Sequence, residues 1–388
     1  MAKTTVSGVQ YSGIWTMQQV NSAISAGTWP SPPAPALYAW GSNATYGQLG
    51  LGNLTSYSSP KQVGSLKTWQ TLGIAATQVV TSSFAIKTDG TLWSWGRNQY
   101  GQLGLNNRTN YSSPKQVGAL TTWLSISSGY GFVAATKTDG TLWTWGYNGA
   151  GELGLGNTTQ YSSPKQVGAL TIWSKVTVGN QSVFGIQTNG TLWSWGANAS
   201  GALGLGNLTY YSSPKQIGAL TSWLTVSASG YSAFAVKTDG TLWSWGRNGS
   251  GQLGLGNTTI YSSPKQIGAL TDWLKLSAGY GMTAAIKTNG TLWTWGFNTQ
   301  GNLGLGNTTA YSSPKQVGAL TNWLLISNAY AMAAIKTDGT LWAWGQNSSG
   351  QLGQGNITNY SSPKQIGTST AWTSVSMGPY SIMAIALT

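Results

Sequence analysis

The 388-residue chain contains no cysteine, no histidine and only six carboxylates. Without cysteine there is no disulfide framework, no thiolate nucleophile and no sulfur ligand for a metal. Without histidine there is no Ser-His-Asp triad and no imidazole ligand. Four of the acids, Asp89, Asp139, Asp239 and Asp338, fall at one repeated turn, leaving Glu152 and Asp272. A paired-carboxylate hydrolase site would therefore need an unusual meeting of repeats. These absences point away from an enzyme, and no metal or cofactor is expected.

Long apolar runs are missing too. No stretch approaches the roughly 20 residues that span a bilayer, so no membrane insertion is expected. The opening Met1-Ala2-Lys3-Thr4-Thr5-Val6-Ser7-Gly8 lacks the apolar core of a signal peptide. Asn-x-Ser/Thr sequons, among them Asn53, Asn157, Asn207, Asn257, Asn307 and Asn356, would be glycosylated in a eukaryotic secretory pathway. Synthesis in a bacterial-type cytoplasm fits better. Nineteen Lys and Arg give a net charge of +13, which attracts polyanions. There is no basic run, however, and 12 lysines occupy two repeated positions, so dispersed solubilising charge is the expected reading. Nucleic acid is not the expected partner.

What the chain has in excess is glycine (54), tryptophan (22) and periodicity. A Trp-Gly pair recurs at Trp40, Trp95, Trp145, Trp195, Trp245, Trp295 and Trp344, at intervals of 55, 50, 50, 50, 50 and 49 residues. Ser-Ser-Pro-Lys-Gln recurs with its lysine at Lys61, Lys115, Lys165, Lys215, Lys265, Lys315 and Lys364. A period near 50 belongs to propeller blades or solenoid arrays. In the unit from Trp123, Leu124-Ser125-Ile126-Ser127 alternates like a strand, and Phe132–Lys137 follows a glycine turn. Thr138-Asp139-Gly140 is a hairpin signal leading into Thr141–Gly146. A glycine-rich loop then reaches Pro164-Lys165-Gln166-Val167, a fourth short strand whose proline suits the first residue of an outer edge.

Four antiparallel strands repeated seven times predict an all-β fold, a seven-bladed β-propeller of four-stranded antiparallel blades. The C-terminal segments from Trp372 and Ser381 form the first two strands of a unit that lacks its third, and Ala36–Gly41 supplies it. The ring is thus expected to close by pairing of N- and C-terminal strands, with residues 37–388 as propeller and 1–36 as a short extension.

The run GxxxxxAxKTDGTLWSWGxNxxGQLGLGN resembles the regulator of chromosome condensation repeat. Over about residues 37–388 that resemblance implies a seven-bladed propeller. The family's usual histidine is replaced here by Phe132, Ser182, Met282 and Met332. The family's eukaryotic founder is an exchange factor for a small GTPase on chromatin; its function-specific residues do not carry over, and that activity is not transferred.

In the extension, Thr16–Ala26 predicts a short helix with Thr16 as cap, Gly27 just beyond, and Met17, Val20 and Ile24 on one side. A stiff Pro-rich linker follows. Gly13-Ile14-Trp15-Thr16-Met17-Gln18-Gln19-Val20 with Ala26-Gly27-Thr28-Trp29-Pro30 is similar to segments in tail-associated and other structural proteins of marine bacteriophages. That resemblance implies an anchor to a particle through Trp15, Val20, Ile24 and Trp29; a strap packed over one propeller face is the alternative.

Among candidate functional residues, the Trp pairs and the unit-opening tryptophans are expected in the core, since residues two apart share a strand face. The Thr-Asp-Gly carboxylates are read as structural: Asn189 and Asn289 replace them in two units, which an αL-tolerant turn position permits. Gly-Leu-Gly-Asn is not followed by the Lys-Ser/Thr and helix of a phosphate loop. Variation is confined to loops, where Arg97, Tyr100, Tyr147, Tyr210, Arg247 and Phe297 are candidate contacts; neutral drift explains the same pattern. Tyr130, Tyr231, Tyr280, Tyr330 and Tyr380 recur after a glycine turn and form a second candidate set, ringing one face or the channel mouth to give equivalent shallow sites; packing between blades is the alternative.

The expected function is a non-enzymatic bacteriophage virion structural protein, in tail, fibre or another surface component. It would be oligomeric within the particle, joined to other virion proteins through its N-terminus and contacting anionic host-surface polysaccharide. A free multivalent glycan-binding lectin and an intracellular protein-interaction or exchange-factor-like propeller are the alternatives.

Overall fold

From Trp123 to Gln166 the chain folds into four antiparallel strands, Trp123–Ser128, Phe132–Lys137, Leu142–Gly146 and Tyr161–Gln166, hydrogen-bonded in sequence order. The computed structural model describes residues 3–6, 9–12, 18, 22, 33–74 and 82–388. Within them the same blade recurs from Trp69, Trp173, Trp223, Trp273 and Trp323. In the seventh blade Trp372–Met377 and Ser381–Leu387 are completed by Pro35–Gly41 and Tyr57–Gln62. The opening strand of each blade lies inward against those of both neighbours, and Trp372–Met377 meets Trp69–Ile74, which closes the ring. Lys3–Val6 and Val9–Ser12 pair separately as a two-stranded ribbon.

Every residue of Phe132–Lys137 is buried, because both faces of the blade are covered by neighbours. Trp145 is fully buried as well, and its indole N–H donates to the Gln102 carbonyl of the preceding blade at 2.8 Å. Trp95, Trp195, Trp245 and Trp295 bond likewise, and Trp40 donates to Gln351 across the closure. The opening Trp123 packs edge-on against Trp143 and Trp145. Six of the seven seams are therefore pinned by a hydrogen-bonded buried indole; at the seventh, Trp344 is fully buried but its indole N–H has no partner among the described residues.

The repeated lysines divide in a way that corrects the expectation of dispersed charge. Lys87, Lys137, Lys237, Lys287 and Lys336 are only 5–7% exposed. The Lys137 ammonium lies 3.6 Å from the centre of the Trp143 ring and 5.0 Å from that of Trp123. Burial pulls the pKa of Lys87, Lys137 and Lys336 below the ordinary lysine value. These five cations brace the fold; the Ser-Ser-Pro-Lys-Gln lysines alone lie along the outer strands.

Two local expectations also change. The outer strand begins at Tyr161, upstream of Pro164, and its register passes from Gly146↔Tyr161 to Thr144↔Lys165. Pro164 thus lies in an edge bulge, where its missing N–H costs no ladder bond. In the Thr-Asp-Gly turn, the residue with positive φ is Gly140 (+77°), not Asp139; Asn106 is the one non-glycine with positive φ among the described residues. An added Cβ on Gly140 would lie 2.1 Å from the Thr171 carbonyl oxygen. Asp139 instead accepts from the Thr141 N–H at 2.9 Å and hydroxyl at 2.6 Å, as Asn189 does from Thr191. Asp and Asn interchange because both offer that oxygen.

Antiparallel order fixes which loops share an end. The loops after the first and third strands meet on one end, where the Tyr147 N–H donates to the Gly131 carbonyl. The Thr-Asp-Gly turns and inter-blade loops meet on the other, where Trp123 N–H donates to the Gly90 carbonyl. Ala34 and Thr388 pair at that second, turn-bearing end.

Candidate functional site

The first end is built on a rigid base. In each Trp-Gly-x-Asn loop the asparagine is buried; Asn148 accepts from the Leu153 N–H at 2.9 Å and donates to the Thr159 carbonyl at 2.8 Å. With Asn fixed, the variable residue before it projects at the surface. Arg97, Tyr147 and Phe297 are half-buried there, Arg247 is exposed and Ala197 is buried.

The two candidate sets turn out to occupy one surface. Tyr100, Tyr130 and Tyr147 form a cluster with ring centroids 5.1–6.2 Å apart. The Tyr130 phenol is raised above the ordinary tyrosine pKa, chiefly by its hydrogen bond with Tyr100. The Arg97 guanidinium lies 5.0 Å from the Tyr46 ring and bonds Gln99. Further round, Tyr280 and Tyr330 are 5.1 Å apart, and Tyr330 stacks on Tyr380 at 5.8 Å. Arg247 lies with Tyr231 and Tyr280 around a small niche. Phe297 sits beside the Gly281 turn, its N–H bonded to the Gly281 carbonyl. Tyr210 is half exposed and stands at the rim, just before the outer strand Tyr211–Gln216. Trp15, Val20, Ile24 and Trp29, the candidate anchors, lie outside the described residues.

The five repeated tyrosines are not equivalent, however. Arg247 N–H donates to the carbonyl of Tyr231 itself, whereas Tyr147 and Phe297 N–H donate to Gly131 and Gly281. Tyr231 and Tyr380 thus take the place of Gly131, one step after Tyr130 and Tyr280, and Tyr330 precedes its strand in the same way. The result is two arcs of tyrosine rather than a ring of identical sites.

Charge is sorted between the two ends. Asp89, Asp139, Asp239 and Asp338 lie in the Thr-Asp-Gly turns, and Asp272 is in an inter-blade loop, 3.3 Å from Lys287. Glu152 is buried. The tyrosine end therefore exposes no carboxylate, while Arg97, Arg108 and Arg247, all the arginines of the chain, sit in its loops. Sequence reading missed this sorting, although all three arginines fall between a third and a fourth strand. The larger clefts between blades, about 390 and 420 Å³, have matching walls of Leu, Val or Ile, Trp and Pro and reflect blade packing.

Glu152 was also missed. It stands where other units carry Gln48, Gln102, Gln252 or Gln351, accepts from the Ala150 N–H at 2.8 Å, and leaves Oε1 without a partner. Burial pushes its pKa up to about 7. The folded state therefore holds a proton that the unfolded chain releases at lower pH, and stability falls as pH rises through the interval from about 4.5 to 7. Above pH 7 the full cost, about 3 kcal/mol, is present. Glu152→Gln should abolish that decline, so urea titrations at pH 5 and pH 8 are expected to separate for the wild type and converge for the variant.

Comparisons agree with this geometry. A family profile described as RCC1-like domain matches residues 36–384. The human probable E3 ubiquitin-protein ligase HERC3 is 38% identical over 112 residues, 27% of this chain and 10% of that protein. The human probable E3 ligase HERC6 is 41% identical over 91 residues, 22% of this chain and 8% of that protein. The chain thus matches no more than about a tenth of the length of these relatives. Among solved structures, human WBSCR16 superposes with a TM-score of 0.81 at 19% identity, covering 92% of this chain and 99% of that one. Yeast RCC1 (Prp20), in its complex with Kap60, gives 0.81 at 18% identity, covering 92% and 89%. No helix among the described residues is long and apolar enough to cross a membrane.

Proposed function

Because this chain belongs to the RCC1-like domain family, we propose that it is a non-enzymatic protein-interaction propeller that docks a partner protein on its tyrosine-bearing end. The observation that carries this reading is the convergence of Tyr100, Tyr130, Tyr147, Tyr280, Tyr330 and Tyr380 with all three arginines on one end without exposed carboxylates. Tyrosine and arginine are the residues that anchor protein interfaces. A structural relative, Prp20p of Saccharomyces cerevisiae, is described as binding Gsp1p and histones, and the RCC1 and HERC relatives support protein interaction above a virion role. The E3 activity in the HERC names belongs to proteins of which this chain matches a small part.

The test is affinity capture from extracts of the source cells, quantified with purified partner. Tyr280→Ala/Tyr330→Ala/Tyr380→Ala is expected to weaken binding at least about 30-fold, as loss of about 2 kcal/mol of anchoring contact does. Lys115→Ala/Lys165→Ala on the outer strands should leave it unchanged. Equal affinity of both variants would overturn the docking face. The string Gly13–Pro30 favours a second reading, location in a virion, which absence of the chain from purified particles by mass spectrometry would refute.

A further inference from the structure

The niche beside Arg247 differs from the rest of the tyrosine-bearing end. It lies between the blade that opens at Trp223 and the next one, holds about 40 Å³, and is walled by Ser229, Tyr231, Arg247, Ser250 and Tyr280. At about 10–15 Å³ of such volume per water, it takes about three waters, or one carboxylate, and excludes a sugar ring. We propose that this niche is an anion subsite that seats an Asp or Glu side chain from an acidic segment of the partner protein. The proposal rests on the docking role assigned above and gives that partner its chemistry.

The niche is built by a one-residue shift in the chain. Ser229 pairs directly with Ser232, so Gly230 and Tyr231 make a two-residue turn, with Gly230 at φ +58°. Gly230 stands where the neighbouring unit has Tyr280, and an added Cβ there would meet nothing closer than Tyr280 Cδ2 at 4.0 Å. The space a tyrosine fills in the unit of Tyr130 is left open. Its polar walls are held in place: the Ser232 hydroxyl donates to the Arg247 carbonyl at 2.7 Å, and Gln252 accepts from the Ser250 N–H at 2.9 Å.

Two groups in the wall await a partner. Ser229 is 3% exposed, and its hydroxyl has no hydrogen-bond partner; buried hydroxyls are ordinarily bonded. The Arg247 guanidinium, one of three arginines at an end that exposes no carboxylate, forms no ion pair among the described residues. A carboxylate in the niche would accept from both, with the arginine bond strengthened by charge. From there the Tyr280, Tyr330 and Tyr380 rings run on across the face and provide flat contact area for the flanking peptide.

The probe is a fluorescein-labelled twelve-residue peptide alternating glutamate and glycine, with a glutamine-for-glutamate peptide as control, titrated against the full chain by anisotropy at low and physiological salt. The acidic peptide is expected to bind at least about ten-fold tighter than its control. Arg247→Gln should weaken it about ten-fold and Ser229→Ala about three-fold. Arg108→Gln, the same charge change elsewhere on that end, should cost less than two-fold. Equal losses for Arg108→Gln and Arg247→Gln would show bulk attraction only and overturn the subsite, as would no binding. A heparin fragment that loses as much affinity as the peptide on Arg247→Gln would overturn its assignment to a peptide. Absent peptide binding together with partner loss in the triple tyrosine variant would sink the subsite and leave the docking face standing. Peptide binding lost on Arg247→Gln, with partner retained by the tyrosine variant, would do the reverse.

Discussion

Replacing Trp245 with alanine is expected to lower the stability of the propeller by about 3–5 kcal/mol. The indole is fully buried, donates to the Ala202 carbonyl of the preceding blade at 2.8 Å, and packs edge-on against Trp223 at 6.3 Å and Phe184 at 6.1 Å. Alanine removes the largest side chain available, opens a cavity in a seam held by backbone on both sides, and leaves the Ala202 carbonyl without that donor. Trp245→Phe separates the contributions: it keeps most of the packing and loses the hydrogen bond, for about 1–2 kcal/mol. Trp243, two residues earlier, is a built-in comparison. It is partly exposed and donates only to Thr241 in its own turn, so its alanine variant should cost clearly less. Calorimetry and urea titration followed by circular dichroism would give the three values. Equal losses at Trp243 and Trp245 would mean that seams between blades do not carry the stability.

A larger effect is expected from ending the chain at Tyr380. Residues Ser381–Leu387 form the second strand of the closing blade, paired on one side with Trp372–Met377 and on the other with Pro35–Gly41. Ile382, Met383, Ala384 and Ile385 are no more than 1% exposed. Removing them leaves two strands with bare edges and separates the blade made from both ends of the chain. Bare edges recruit other chains. The truncated protein is expected to show no cooperative thermal transition and to elute as soluble aggregate. Adding a synthetic peptide spanning residues 378–388 should restore a monomeric peak in part. A truncated monomer that melts within a few degrees of the intact chain would show that the ring does not depend on its closing strand.

How much of this was visible beforehand depends on distance along the chain. The strands of one unit, the burial of Trp95 or Trp145, and the closing of the ring by Ala36–Gly41 follow from spacing and alternation, which are local and repeated seven times. Lys137 reads as solvated from sequence because a lysine closing a strand just before a turn gives no sign of Trp123 and Trp143 packing over it. The interchange of Asp139 with Asn marks it as structural, but the sequence does not show that Gly140 takes the positive φ while Asp139 bonds Thr141. The two candidate sets were separated in sequence because one follows the first strand and the other the third; only antiparallel order brings them to one end. The niche at Arg247 was least legible. It arises from a one-residue displacement between Gly230-Tyr231 and Tyr130-Gly131, within a motif whose composition scarcely changes.

Everything functional rests on one end of the closed ring being the side that receives the partner. Hydrogen–deuterium exchange of the full chain, alone and with its purified partner, reads this directly. Protection is expected in the loops 129–131, 147–150, 230–231, 279–281 and 297–300, with the turns 88–90, 138–140, 238–240 and 337–339 unchanged. Protection of those turns with exchange at the tyrosine loops unaltered would place the partner on the opposite end and contradict the assignment.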